Sequence, residues 1–269
     1  MNHPGKYLKV FDIGLQNTFV YRWNFFLRSL FNLVPLAGTV FIWRAMFAAR
    51  QGTIGSYDYS SMIYYFVLAM VVNNLVTPTE DEWQIAADIR EGQINSFLTK
   101  PMNYLGYRVS LFLSYRLLYT VVTVIPVACV IFYFRHDVTL PKEWITWLWF
   151  AVSLAMAAFI QFFIAYSLAL MAFWILEITT IVFILYSFEY FLSGQIFPLD
   201  ILPASFQSVM KLLPFYYEIF FPIQVFLEKA SGAELCSGLA IQAIWFFITL
   251  TLARVMWLRG TRHYQAVGG

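Results

Sequence analysis

The sequence predicts an all-α integral membrane protein with about six membrane-spanning helices. Of its 269 residues, 61% are hydrophobic and only 12% charged, against about 25% charged in soluble domains. Uncharged runs such as residues 144–176 exceed the ~20 residues that cross a bilayer at 1.5 Å each. These runs lack period-two alternation, which argues against a barrel. Helices remain as the structure that satisfies its own backbone in lipid.

The elements follow in order within a single transmembrane domain, residues 1–269. Residues 1–24 are polar and aromatic, without the apolar core and small-residue cleavage site of a signal peptide, so no cleaved leader is expected. The first span is residues 25–49. Its Arg28 and Arg44 lie far enough apart, about 24 Å along a helix, for each to snorkel to its own interface. The second span is residues 60–76. The third is residues 104–134, interrupted by Pro126, and the fourth is residues 144–176, with Trp144, Trp147 and Trp149 as an interfacial belt. The fifth, residues 178–193, follows a tight turn near Glu177. The sixth is residues 239–257. Residues 194–229 are too apolar for a free loop, yet Pro198, Pro203, Pro214 and Pro222 break long helices. Short re-entrant or interfacial helices are expected there, with a seventh span over residues 212–227 as the alternative.

Charge orients these spans. Lys6, Lys9 and Arg22 precede the first, Arg90, Lys100 and Arg108 follow the second, and Arg254, Arg259 and Arg262 end the chain. The positive-inside rule places all three groups in the cytoplasm, with both termini inside a bacterial inner membrane. Residues 194–234, with Asp200, Glu218, Glu228 and Glu234, face outward. Arg50, Arg135 and Lys142 run against this assignment.

Several function classes fall away on inventory. The net charge is +2, with no basic patch interleaved with aromatics for nucleic acid. Cys129 and Cys236 imply neither a disulfide framework nor a metal site. His3, His136 and His263 are scattered. Ser208 and Lys211 form an S-x-x-K tetrad without its companion motifs, a chance match. Neither catalysis nor a cofactor is expected of this chain.

Residues 77–101 are the most informative stretch. Thr77-Pro78-Thr79-Glu80 reads as a helix start, with Thr77 as N-cap and Glu80 closing a capping box. Trp83, Ile85, Ala86 and Ile89 follow at helical spacing among Glu82, Asp88, Arg90 and Glu91, and Gly92 ends the helix. Such a helix lies on the membrane surface as a connector or fits a groove on a partner.

Ile89-Arg90-Glu91-Gly92, then Leu98 and Lys100-Pro101, resembles the signature of ABC-2 type permeases. Phe173-Trp174 with Glu177, residues 193–198 with Leu202-Pro203 and Leu213-Pro214-Phe215, and the tail from Arg259 to Tyr264 ending Val267-Gly268-Gly269 resemble the same family in order. No G-x-x-x-x-G-K-[ST] run is present. The resemblance implies a half-permease of an exporter that pairs with a second permease subunit, identical or related, with a slight lean to a related chain. It implies two copies of a cytoplasmic ABC ATPase, which carry ATP and magnesium. The helix in residues 77–101 becomes a coupling helix, with Glu82, Trp83, Ile85, Ile89, Arg90 and Glu91 as coupling residues. Its apolar members would fill a cleft on the ATPase and its charges would fix register. The substrate would be amphipathic or hydrophobic.

The same resemblance sets the second and fifth spans across the dimer axis, with Tyr64, Tyr65, Phe66, Phe183, Tyr186 and Phe188 as a path or as ordinary packing. Glu189 is a costly carboxylate, with Gln195 as its expected partner or water as its surroundings. Gln161, Asn73 and Asn74 are read as interhelical hydrogen-bonding residues. The alternatives are an ion-coupled secondary transporter, which needs buried ionisable groups and often repeats, and a membrane scaffold whose ATPase acts on another complex.

Overall fold

Where the chain spans lipid, its backbone must bond to itself, and helices dominate accordingly. The computed structural model describes residues 5–49, 52–77, 81–134 and 140–264. Twelve α-helices occur there: α1 (Gly5–Val20), α2 (Arg22–Phe31), α3 (Leu33–Ala49), α4 (Tyr59–Val76), α5 (Asp81–Arg90), α6 (Ile94–Leu98), α7 (Tyr104–Tyr133), α8 (Trp144–Leu170), α9 (Thr179–Leu192), α10 (Ala204–Met210), α11 (Phe220–Phe226) and α12 (Gly232–His263). The only extended pairing among the described residues is an isolated bridge between Ile54 and Tyr57. The all-α membrane fold is as expected. Tyr59–Val76, Tyr104–Tyr133, Trp144–Phe173 and Gly232–His263 are long and apolar enough to cross a bilayer, while Leu33–Ala49 and Thr179–Leu192 are shorter apolar helices.

The expected first span is two helices. Pro35 lies in the first turn of α3, and its ring excludes the carbonyl four residues earlier, that of Phe31, where α2 ends. Pro126, by contrast, lies inside α7 without ending it. Residues 1–24 contain a helix the sequence did not announce. Gly14 and Gly106 let α1 lie close on α7: a Cβ at Gly14 would collide with Ser114 Oγ, and one at Gly106 would meet the Tyr7 ring at 2.8 Å. Asp58 starts α4 with a reciprocal capping box to Ser61.

The largest departure concerns the helix start expected after the second span. Thr77 is not a helix start but the C-cap of α4, its N–H reaching Asn73 O at 2.9 Å. Pro78, Thr79 and Glu80 lie outside the described residues, as do Arg50, Arg135, His136 and residues 265–269. Two arginines of α7 meet the described residues on either side of residues 78–80. Arg116 donates to the carbonyls of Asn74, Val76 and Thr77 at 3.0, 2.7 and 2.7 Å. Arg108 pairs with Asp88. These arginines are about 12 Å apart along α7, so Thr77 and Asp88 lie beside it at different heights. Helix α5 packs on α8 and the Met171–Phe173 turn. Helix α4 matches the second span expected over residues 60–76, and α5, which follows it, packs into the bundle instead of standing free. Gly92, at φ +76°, turns the chain after α5.

Residues 194–229 form α10, α11 and short 3-10 turns at Leu199–Ile201 and Pro214–Tyr217. The proline density breaks them as anticipated, and no helix of spanning length occurs over residues 212–227. Two hydrophobic clusters hold the bundle. One joins α4 and α11 near the Tyr57 end, and the other joins α5, α7, α8 and the end of α12.

Candidate functional site

The loops that leave α5 and α8 meet at one end of the bundle. Arg90 Nη1 donates to Leu176 O at 3.2 Å. The His263 ring lies on that of Trp174, at 6.4 Å and 19°, and the Tyr264 ring meets Phe173 edge-on at 5.8 Å. The start of α1 joins the same end: Lys6 Nζ donates to Pro101 O at 3.4 Å, and the Asn103 N–H to the Tyr7 hydroxyl at 3.1 Å. Both described chain ends therefore share one end of the bundle. The tip carries Leu98 and, 84% exposed, Leu176. Beside it, the Thr179 hydroxyl and then its N–H hold the Glu177 carboxyl below its ordinary pKa.

The six predicted coupling residues divide. Arg90 and Glu91 are exposed at this tip. Ile85 and Ile89 are buried in the chain's own core, and Trp83 packs against it. Filling a partner's cleft is thus corrected for Ile85 and Ile89: they hold α5 to α8. Glu82 is also buried, beside Tyr186 and within electrostatic reach of Glu189. Leu98, Lys100 and the Trp174–Glu177 turn join the exposed surface instead. The indole of Trp174 and the leucines at those positions are indistinguishable from spanning residues by composition alone.

Asp88 anchors this end. Its Oδ2 accepts from Tyr104 Oη at 2.7 Å and from Arg108 Nη2, while Arg108 Nε donates to Tyr104 Oη at 2.9 Å. Tyr104 in turn lies on Trp257 of α12, at 4.9 Å and 12°. One side-chain group thereby ties α5, α7 and α12. The sequence offered Arg108 only as a charge after the second span.

The predicted path residues do not form one slot within this chain. Tyr65 is fully buried and donates to Gly194 O at 2.6 Å, and Phe66 packs on Trp43. Phe183 is 71% exposed on α9, and Tyr186 is half-buried. Glu189 is buried and takes 2.7 Å from Gln161 Nε2. Gln161, not Gln195, is its partner, and the interhelical role read for Gln161 is as expected. Glu218, fully buried, lies within reach of the Glu189 charge.

A groove of about 220 Å³ opens instead between α3, α4 and the end of α9. Asn32, Thr39, Asn73, Asn74 and Gln195 give it polar points between Phe66, Met70 and Tyr190. Asn32 Nδ2 donates to Asn74 Oδ1 at 2.7 Å, which also accepts from Tyr119 Oη at 3.3 Å. The Asn74 Nδ2 group is buried and open to a further acceptor. Polar amides in an apolar wall suit an amphipathic guest.

A family model described as ABC-2 family transporter protein matches residues 33–268. No curated protein matches the chain.

Proposed function

Since the chain belongs to the ABC-2 transporter family, we propose that it is the membrane subunit of an exporter driven by ATP hydrolysis on separate ATPase subunits. The partner ABC ATPase and the membrane setting follow from the family. Export, two ATPase copies, a second permease subunit, a bacterial cytoplasmic membrane with both termini inside, and the lack of catalysis by this chain are our reading. The observation that carries it is the junction of the two loops at Arg90 and Leu176. An exposed tip of Leu98, Leu176, Arg90, Glu91 and Lys100 suits a cleft on a partner, with apolar anchors and charges that fix register. Motion of either loop passes to α5 and α8, which pack together. The groove of Asn32, Asn73 and Asn74 is the proposed entry for an amphipathic or hydrophobic substrate.

The test is co-purification with the ATPase encoded beside it. Arg90→Ala/Glu91→Ala and Leu176→Asp should each lower complex recovery and substrate-stimulated hydrolysis at least tenfold, with the unfolding temperature of the isolated chain unchanged. Full coupling in both variants overturns the docking surface. An ion-coupled transporter is the alternative favoured by buried Glu189 and Glu218, and gradient-driven transport without ATPase would establish it. Stimulation of hydrolysis only by another protein would establish the scaffold.

A further inference from the structure

The last carbonyls of a helix have no partner within it and need one from outside. At the end of α4 three carbonyls find a single guanidinium. Arg116 of α7 donates to Asn74 O through Nη1, and to Val76 O and Thr77 O through Nη2. The partial negative charge of a helix C-terminus suits a cation there. The guanidinium also stands 5.3 Å from the centre of the Phe112 ring, one turn back on α7. That ring lies 4.6 Å from the ring of Phe162 on α8. The guanidinium is therefore backed by α7 and α8 while it holds α4.

The two terminal nitrogens serve different parts of the chain. Asn74, held by Nη1, belongs to the groove: its side chain accepts from Asn32 of α2 and Tyr119 of α7, and Asn73 beside it lines the same wall. Thr77, held by Nη2, is the cap residue that leaves α4, and α5 begins at Asp81. A guanidinium is planar and rigid, so its nitrogens move together. Hydrogen-bonded groups of this kind carry energetic coupling between sites. A displacement of Thr77 by α5 then reaches Asn74 through one fixed group as well as through the last turn of α4. An ammonium is a single point charge on a flexible stem and holds no such fixed separation.

We infer that Arg116 is the positioning residue that carries movement of α5 to the groove of Asn32, Asn73 and Asn74. This role rests on the exporter reading, in which the tip after α5 meets the ATPase and the groove receives substrate. Arg116 itself touches neither partner: it stands between them, on a helix that belongs to neither surface.

The test uses the full chain with its ATPase in nanodiscs, in a Cys129→Ser/Cys236→Ser background, because both native cysteines are exposed. A bimane label is placed at Leu98→Cys on the exposed tip or at Thr39→Cys on the groove wall. A non-hydrolysable ATP analogue should shift the emission at both positions. Arg116→Lys should keep the tip response and reduce the groove response at least fivefold, in chains that still co-purify with the ATPase. Arg116→Gln, which retains a donor without the charge, should give the same loss and serves where Arg116→Lys does not fold. A full groove response in either folded variant overturns the inference. Loss of the tip and groove responses together is the mark of a purely structural cap and also overturns it. A wild-type groove that stays silent while the tip responds overturns this inference alone, whereas silence at both positions overturns the exporter reading with it.

Discussion

At the scale of single residues, the structure turns on arginines that the sequence presents only as charges. Arg108 is 5% exposed, and its cost of burial is offset by Asp88 and the Tyr104 hydroxyl. Removing one member of a buried pair leaves the other uncompensated, at about 3–5 kcal/mol. Asp88→Asn should therefore destabilise the chain by about 3 kcal/mol, read as a lower unfolding midpoint in detergent. The double variant Asp88→Leu/Arg108→Met should lose less than Asp88→Asn alone, because no stranded charge remains. A double variant that is worse than the single would show that the group matters for packing, not for charge balance. None of this was legible beforehand: the partners are 20 positions apart, and local spacing says nothing about which helix will face Arg108. Gln161 was legible as an interhelical residue because an amide in an apolar run has few other uses. That its partner would be Glu189 needed the packing of α8 on α9. At the membrane boundary, hydrogen bonds from the Ser61 hydroxyl and N–H hold the Asp58 carboxyl below its ordinary pKa. Its capping contribution is complete above the ordinary carboxylate range and is lost only as pH falls through the lowered value.

At the scale of elements, apolar runs located the long helices well, since run length translates directly into span length. Breaks were harder. Pro35 was visible, but its effect falls on Phe31, and an apolar run across the break hides it. The segment after Val76 misled for the opposite reason. A polar stretch with Pro78 and alternating charges reads as surface, whereas Glu82, Asp88 and Arg90 are accommodated by burial, an ion pair and the Leu176 carbonyl respectively. A descending α5 has a depth signature. Gln84 and Arg90 are separated by about 9 Å along α5. Spin labels at the two positions in liposomes should differ in immersion depth by about 7 Å, allowing for tilt. Equal depths, as from a helix parallel to the surface, would restore the surface connector.

At the scale of the whole molecule, the helices are unequal in a way that bears on assembly. Helices α7 and α12 have 30 and 32 residues, enough to cross about 30 Å of hydrocarbon with tilt. Helix α9 has 14 residues, about 21 Å, and buries only Val182 and Glu189 against its own chain. Alone in lipid it would leave its ends within the hydrocarbon, a mismatch that thinning of the bilayer or oligomerisation relieves. If the proposed second permease subunit packs there, the outward Phe183 and Phe188 are its contact residues and the path closes between chains. If the subunit pairs with itself, Phe183→Cys in membranes should give a disulfide-linked dimer on mild oxidation. Leu117→Cys, also at an apolar, exposed position but on α7, should give none, because α7 is long enough to face lipid unaided. Cross-linking at both positions alike would mean collision in the bilayer, and cross-linking at Leu117 alone would move the interface from α9 to α7. A chain that cross-links at Phe183 only in the presence of a co-expressed, related permease carrying its own cysteine would make the assembly heterodimeric, with α9 still the shared face.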